Sequence, residues 1–231
     1  MRRILLLDVT AMTGDAVCIA GLDLDSGDTL RLNDPQPTLQ MLERLAGLAP
    51  GDVIQVEWTP IPGATRPHVE DGRWRPDTLR KDGVMPFSQV VQAVRAAAFS
   101  SIADAFGERW FQGHNHNSAW QPGAGDRSLA SIVVRYVRFK ADGLGRVRVA
   151  LRDDGDTYWD GIPYQDLRTR SHMSGCDACD DGYLARVGAE YQANRCLLRV
   201  GLTRAVPLGE HPSACWLQVT NIFARPRAHF V

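Results

Sequence analysis

The sequence predicts a mainly β protein with short helices, folded as two small barrels or sandwiches packed together. Three observations carry this expectation. Short apolar runs separated by turn signals recur along the chain, where a parallel sheet would alternate strands with longer helices. The helical patterns that do occur are brief. The 231 residues, 44% of them hydrophobic, are enough for two lobes of ordinary size.

Arg3 to Val9 is a first apolar run, broken by Asp8, and Ala16 to Leu24 is a second. Thr29-Leu30-Arg31-Leu32 alternates, and Asp25-Ser26-Gly27-Asp28 joins it to the second run as a hairpin. Thr38 to Leu48 places Leu39, Leu42 and Leu45 at helical spacing before Pro50. Val53 to Trp58 is a fourth strand, stopped by Pro60 and Pro62. Ser88 to Ala98 carries Val90, Val91 and Val94 on one helical side, and Ser101 to Phe106 continues it after a break.

Gln112 to Asp126 has no periodicity and contains Gly113, Gly123, Gly125 and Pro122, so it reads as a loop or linker. Leu129 to Phe139, Val147 to Leu151 and Thr157 to Ile162 are three further strands. Gly182 to Asn194 has helical spacing, and Cys196 to Leu202 and Cys215 to Ile222 close the chain as a strand pair. The expected organisation is a first lobe over residues 1–112, a linker over 113–126 and a second lobe over 127–231.

The order of features resembles the bacterial dual-OB-domain (DuOB) family. The resemblance rests on Arg3-Ile4-Leu5-Leu6-Leu7, Cys18-Ile19-Ala20-Gly21-Leu22-Asp23, Asp52-Val53-Ile54-Gln55-Val56, the stretch from Pro67 to Trp74, Ser128-Leu129-Ala130-Ser131-Ile132 and the closing strand pair. Where the family has a tryptophan-containing W-I-R-P, this chain has Leu30-Arg31-Leu32-Asn33. The resemblance implies two OB-like barrels, a nucleic-acid-binding role and the company of bacterial conflict or defence genes.

With 26 basic and 27 acidic residues the net charge is -1, so no global field draws nucleic acid and any binding must come from a local patch. Residues 127–152 are the best candidate for such a patch, the other reading being the ordinary charged solvent face of antiparallel strands. Arg127, Arg135, Arg138, Lys140, Arg146, Arg148 and Arg152 lie there with Asp142 as the acid among them, and Tyr136, Phe139, Tyr158 and Trp159 interleave aromatic rings. Residues two apart on a strand share a face, which sets Arg138 with Lys140 and Arg146 with Arg148. Arginines on phosphates with aromatic faces on bases is the chemistry of single-strand binding. A second basic cluster around Arg66, His68, Arg73 and Trp74 also holds Glu70, Asp71 and Asp77 and reads as a solvated loop.

His172-Met173-Ser174-Gly175-Cys176-Asp177-Ala178-Cys179 contains a Cys-x-x-Cys knuckle, and His172 and Cys196 complete a possible Cys3His set for one structural zinc. Thiols on an exposed loop and a redox pair are the other readings of the same residues. Cys18 and Cys215 alternate within apolar strands as packing residues. His114 and His116 read as part of a polar loop.

No phosphate-binding loop, nucleophile elbow or His-Glu-x-x-His helix is present in the sequence. No signal peptide or membrane span is visible, and an odd cysteine count suits reduced thiols, so the expected location is cytoplasmic. The functional expectation is a non-catalytic protein that binds single-stranded or structured nucleic acid. The alternative is an adaptor whose barrels bind a partner protein from the same operon.

Overall fold

The computed structural model describes residues 1–44, 47–113, 116–142, 146–165 and 196–223. Its architecture is mainly β, with two sheets and three short α-helices among the described residues.

The first sheet opens as a meander of β1 (Arg2–Ala11), β2 (Val17–Asp23) and β3 (Thr29–Asp34), followed by α1 (Leu39–Arg44). Then β4 (Asp52–Val56) returns to the free side of β1. Three further strands complete the sheet: β5 (Trp58–Pro60), β6 (Asp71–Trp74), which lies in the segment read as a solvated loop, and β7 (Arg80–Val84). The order is β5-β6-β3-β2-β1-β4-β7, with β6 parallel to β3.

A bulge between Leu6 and Asp8 in β1 lets this strand serve two cores. Ile4, Leu6 and Val9 join Ile19, Leu32, Ile54 and Trp74 inside the first lobe, while Leu5 and Leu7 face the second sheet. Gly21 lets β2 lie this close to β1: a Cβ there would lie 2.2 Å from the Leu5 carbonyl oxygen.

Between the sheets runs α2 (Phe87–Ala96), which wedges Val90 and Val94, one turn apart, into a seam with Leu5, Leu7, Val53, Leu197 and Phe223. Next come β8 (Ala98–Phe99) and α3 (Ile102–Phe106), whose first turn is capped by the Ser101 hydroxyl accepting from the Asp104 N–H at 2.9 Å.

The second sheet comprises β8, β9 (Phe111–Gln112), β10 (Ser118–Trp120), β11 (Leu129–Ala141), β12 (Val147–Asp153), β13 (Tyr158–Pro163), β14 (Cys196–Leu202), β15 (Val206–Leu208) and β16 (His211–Phe223). β11, β12 and β13 form a meander, β14 returns to the other side of β11, and β16 pairs with β14. A parallel bridge from Tyr164 to Val219, with Gln165 N–H on the Val219 carbonyl at 2.9 Å, brings the end of β13 against β16. The sheet therefore curls into a half-barrel around Val137, Phe139, Val149, Leu151, Ile162, Leu198 and Leu217.

Two expectations need correction. The stretch 112–126 is not all loop, because it holds Gln112 of β9 and the whole of β10. The division between sheets also falls between Val84 and Ala98, well ahead of residue 112, since β8, β9 and β10 already belong to the second sheet. The helix expected over 182–194 lies outside the described residues. No helix among them is long and apolar enough to cross a membrane.

Candidate nucleic-acid interface

The ladder between β11 and β12 decides which side chains share a face. Tyr136 pairs with Arg152, Arg138 with Ala150 and Lys140 with Arg148, while Arg152 also pairs with Tyr158 of β13. Paired residues point to the same side, so Tyr136, Arg138, Lys140, Arg148, Arg152 and Tyr158 form one outer surface across three strands. The alternate set, Val137, Phe139, Val149, Leu151 and Ile162, fills the half-barrel. A bulge between Val134 and Tyr136 turns both Val134 and Val137 inward and leaves Arg135 outside as well.

Carboxylates hold most of these cations in place. Arg135 pairs with Asp154 at 2.8 Å, Lys140 with Asp160 at 2.9 Å, and Arg146 and Arg148 both with Asp142 at 2.9 Å. Arg152 pairs with Asp156 at 3.3 Å, and exposed Arg138 forms no ion pair among the described residues. Partial burial works against the charge of Asp160. The Lys140 hydrogen bond, the Gly161 N–H and the nearby Lys140 and His116 outweigh it and hold this carboxyl below its ordinary range. Tyr158 is half exposed, and partial burial, then Asp160, push its phenol upward, so it stays neutral.

Two expected members are elsewhere. Trp159 alternates inward: its indole is buried, donates to Asp153 Oδ2 at 2.9 Å and stacks on Trp120 with ring centres 6.0 Å apart. Arg127 precedes the far end of β11, pairs with Asp126 at 3.1 Å and lies 4.7 Å over the Phe99 ring. There it lines a cleft of about 780 Å³ between the sheets, with Glu70, Ser131 and Arg199.

Of the expected zinc ligands, His172, Cys176 and Cys179 lie outside the described residues, as does His114. Cys196 is buried in β14 within the half-barrel core, and burial pushes its thiol up to about 11. The described residues contain no group of three or more metal-ligating side chains.

The segment read as a solvated loop is instead the core of a polar lock between the sheets. Arg31 of β3 reaches Asp71 at 2.6 Å, Ser128 at 2.9 Å, His68 Nδ1 at 3.0 Å and Glu70 at 3.4 Å. Ser128 donates in turn to Glu70, and Arg204 pairs with Asp71. Because Arg31 can only donate, His68 Nδ1 must accept, which places the ring proton on Nε2. Burial, then the charges of Arg31 and Arg204, lower the His68 pKa to about 3.

A second lock joins β1 to β14. Arg199 contacts Asp8 at 2.8 and 3.1 Å, Thr220 donates to Asp8 at 2.6 Å, and Arg199 donates to Ser131 at 3.1 Å. A charged residue inside each apolar run, Asp8 and Arg199, was the available sequence signal. No protein-family model matches the chain, and no curated protein matches it.

Proposed function

We propose that the chain is a non-catalytic nucleic-acid-binding protein that takes the phosphate backbone on the outer face of β11, β12 and β13. One observation carries this reading: the strand register gathers Tyr136, Arg138, Lys140, Arg152 and Tyr158 on one outer surface, with Arg148 on the same side but largely buried against Asp142. The carboxylates among them do not oppose it strongly. For the exposed cations Arg135, Arg146 and Arg152 such an ion pair is worth about 0–1 kcal/mol, and a phosphate oxygen can replace a carboxylate oxygen on the same guanidinium. Among the described residues, the ion pairs of Arg135, Lys140, Arg146, Arg148 and Arg152 use four carboxylates, those of Asp142, Asp154, Asp156 and Asp160, and Arg138 has no ion pair.

The connectivity supports an OB-like reading of both lobes. In the second, β11-β12-β13 is a meander, β14 returns to β11, and β13 meets β16 in parallel. In the first, β1-β2-β3 is a meander, β4 returns to β1, and β6 runs parallel to β3. OB barrels bind oligonucleotides on their second and third strands, which here are β12 and β13. Anisotropy titrations of labelled single-stranded DNA, single-stranded RNA and duplex at two salt concentrations test the proposal. Salt-sensitive binding that Arg138→Glu weakens is expected, and no binding at low salt overturns it and favours a protein partner.

A further inference from the structure

The strands leading into the half-barrel carry an aromatic patch that the cationic face does not use. β10 pairs with β16 at Trp216 and Cys215, beyond the point where Tyr164 meets Val219. Alternation sends Trp120 and Cys215 into the core and leaves Phe111, Ala119 and Trp216 on the outer side. There the Phe111 ring lies 5.1 Å from Trp110, 5.3 Å from His211 and 5.4 Å from Trp216, centre to centre. Trp216 is buried, with its indole N–H on the Val206 carbonyl at 3.2 Å, whereas Trp110 is 47% exposed. The patch thus consists of a packed aromatic base and one indole presented to solvent.

The segment that carries the patch lies beside β13 and touches it on its inner and its outer side. Arg109, adjacent to Trp110, is exposed, forms no ion pair among the described residues and lies 5.7 Å from the centre of the Trp159 ring of β13. His116, in the β9–β10 connection, is close enough to act on Asp160, the partner of Lys140. The aromatic patch and the three-strand surface are therefore neighbours on the outer side of the half-barrel.

We infer that Trp110 stacks an unpaired base of a strand whose phosphates cross the β11–β13 face, so that the ligand is single-stranded nucleic acid. This rests on the nucleic-acid reading above. A base inside a duplex has both faces covered by its neighbours, and only an unpaired base offers one to a side chain. The packing of Trp110 edge-on to Phe111 holds the indole in position before the strand arrives.

Binding of oligothymidine, an abasic deoxyribose-phosphate chain of equal length, and a duplex by wild type, Trp110→Ala, Trp110→Phe and Arg138→Ala/Lys140→Ala tests the inference. Loss of one stacked base corresponds to a drop on the order of 5- to 150-fold. Trp110→Ala is expected to weaken oligothymidine by at least fivefold, leave the abasic chain and the salt dependence unchanged, and be largely rescued by phenylalanine. If Trp110→Ala matches wild type on oligothymidine while Arg138→Ala/Lys140→Ala loses affinity, the stacking site is wrong and the phosphate-binding face stands. If wild type binds none of the three probes at low salt, both fall. Photocrosslinking of iodouridine-substituted oligonucleotide to wild type needs no variant: a crosslink at Trp110 is expected, and crosslinks confined to other peptides overturn the assignment.

Discussion

Removing the cation of the β1–β14 lock by Arg199→Met leaves Asp8 buried and charged. Asp8 is fully buried, Arg199 is 2% exposed, and the pair makes contacts at 2.8 and 3.1 Å. After the substitution Asp8 keeps the Thr220 hydroxyl as a donor but no counter-charge. Breaking a buried pair in this way costs about 3–5 kcal/mol. In a chain of this length each kcal/mol moves the melting temperature by about 2–4 °C, so the expected fall is roughly 6–20 °C. The double variant Asp8→Leu/Arg199→Met removes both charges and should recover much of that loss. Circular-dichroism melts of wild type, both single variants and the double variant give the coupling directly. Because Leu5, Leu7, Leu197 and Phe223 share the same seam, wild type should also melt in one transition. A single-variant fall below about 2 °C, or a double variant losing the sum of both, refutes the reasoning.

The His68 ring makes stability depend on pH. Its pKa is about 3 when folded against an ordinary 6.5, so between these values the unfolded chain binds a proton that the folded chain does not. Stability is therefore complete above about pH 6.5 and falls as pH drops towards 3. The urea midpoint should decline between pH 7 and 4.5 more steeply in wild type than in His68→Gln, and equal slopes contradict this. Gly21→Ala places a methyl group 2.2 Å from the Leu5 carbonyl and 2.7 Å from Ile4 Cγ2, forcing β1 and β2 apart. A loss of about 1–3 kcal/mol is expected by urea titration, and an unchanged midpoint counts against the close approach.

Much of the strand order is legible in the sequence because long strands have room for a pattern. β11 and β16 each have 13 residues: β11 alternates between core and surface over its second half, and β16 alternates between two buried clusters. β9 and β10, of two and three residues, have no room to show a period; β10 is held by its pairing to β16 and β9 by its pairing to β10. The two-residue spacing that sets Arg138 with Lys140 in the sequence matches the shared side that the β11–β12 register gives them. The orientation of Trp159 was not readable, because its side depends on the β12–β13 register, which shifts between Val149 and Leu151.

The polar locks were harder to see. His68, Glu70 and Asp71 sit among arginines, prolines and acids, a composition typical of surface. Their partners Arg31, Ser128 and Arg204 lie 37 or more residues away in sequence; Arg31 meets them through the β3–β6 pairing, and Ser128 and Arg204 only when the sheets pack. Local composition carries no trace of such pairings. Asp8 and Arg199 are separated by 191 positions, yet each interrupts an apolar strand, a sign that both charges require a buried partner.

The salt dependence of single-strand affinity tests the nucleic-acid account most directly. Each phosphate neutralised on a single strand contributes about 0.7 to the slope of log K against log salt. Wild type is expected to bind with a steep negative slope, and Arg138→Ala/Lys140→Ala/Arg152→Ala to lose about 2 from its magnitude. Identical slopes in wild type and triple variant, or affinity indifferent to salt, would contradict a phosphate-binding face on β11–β13.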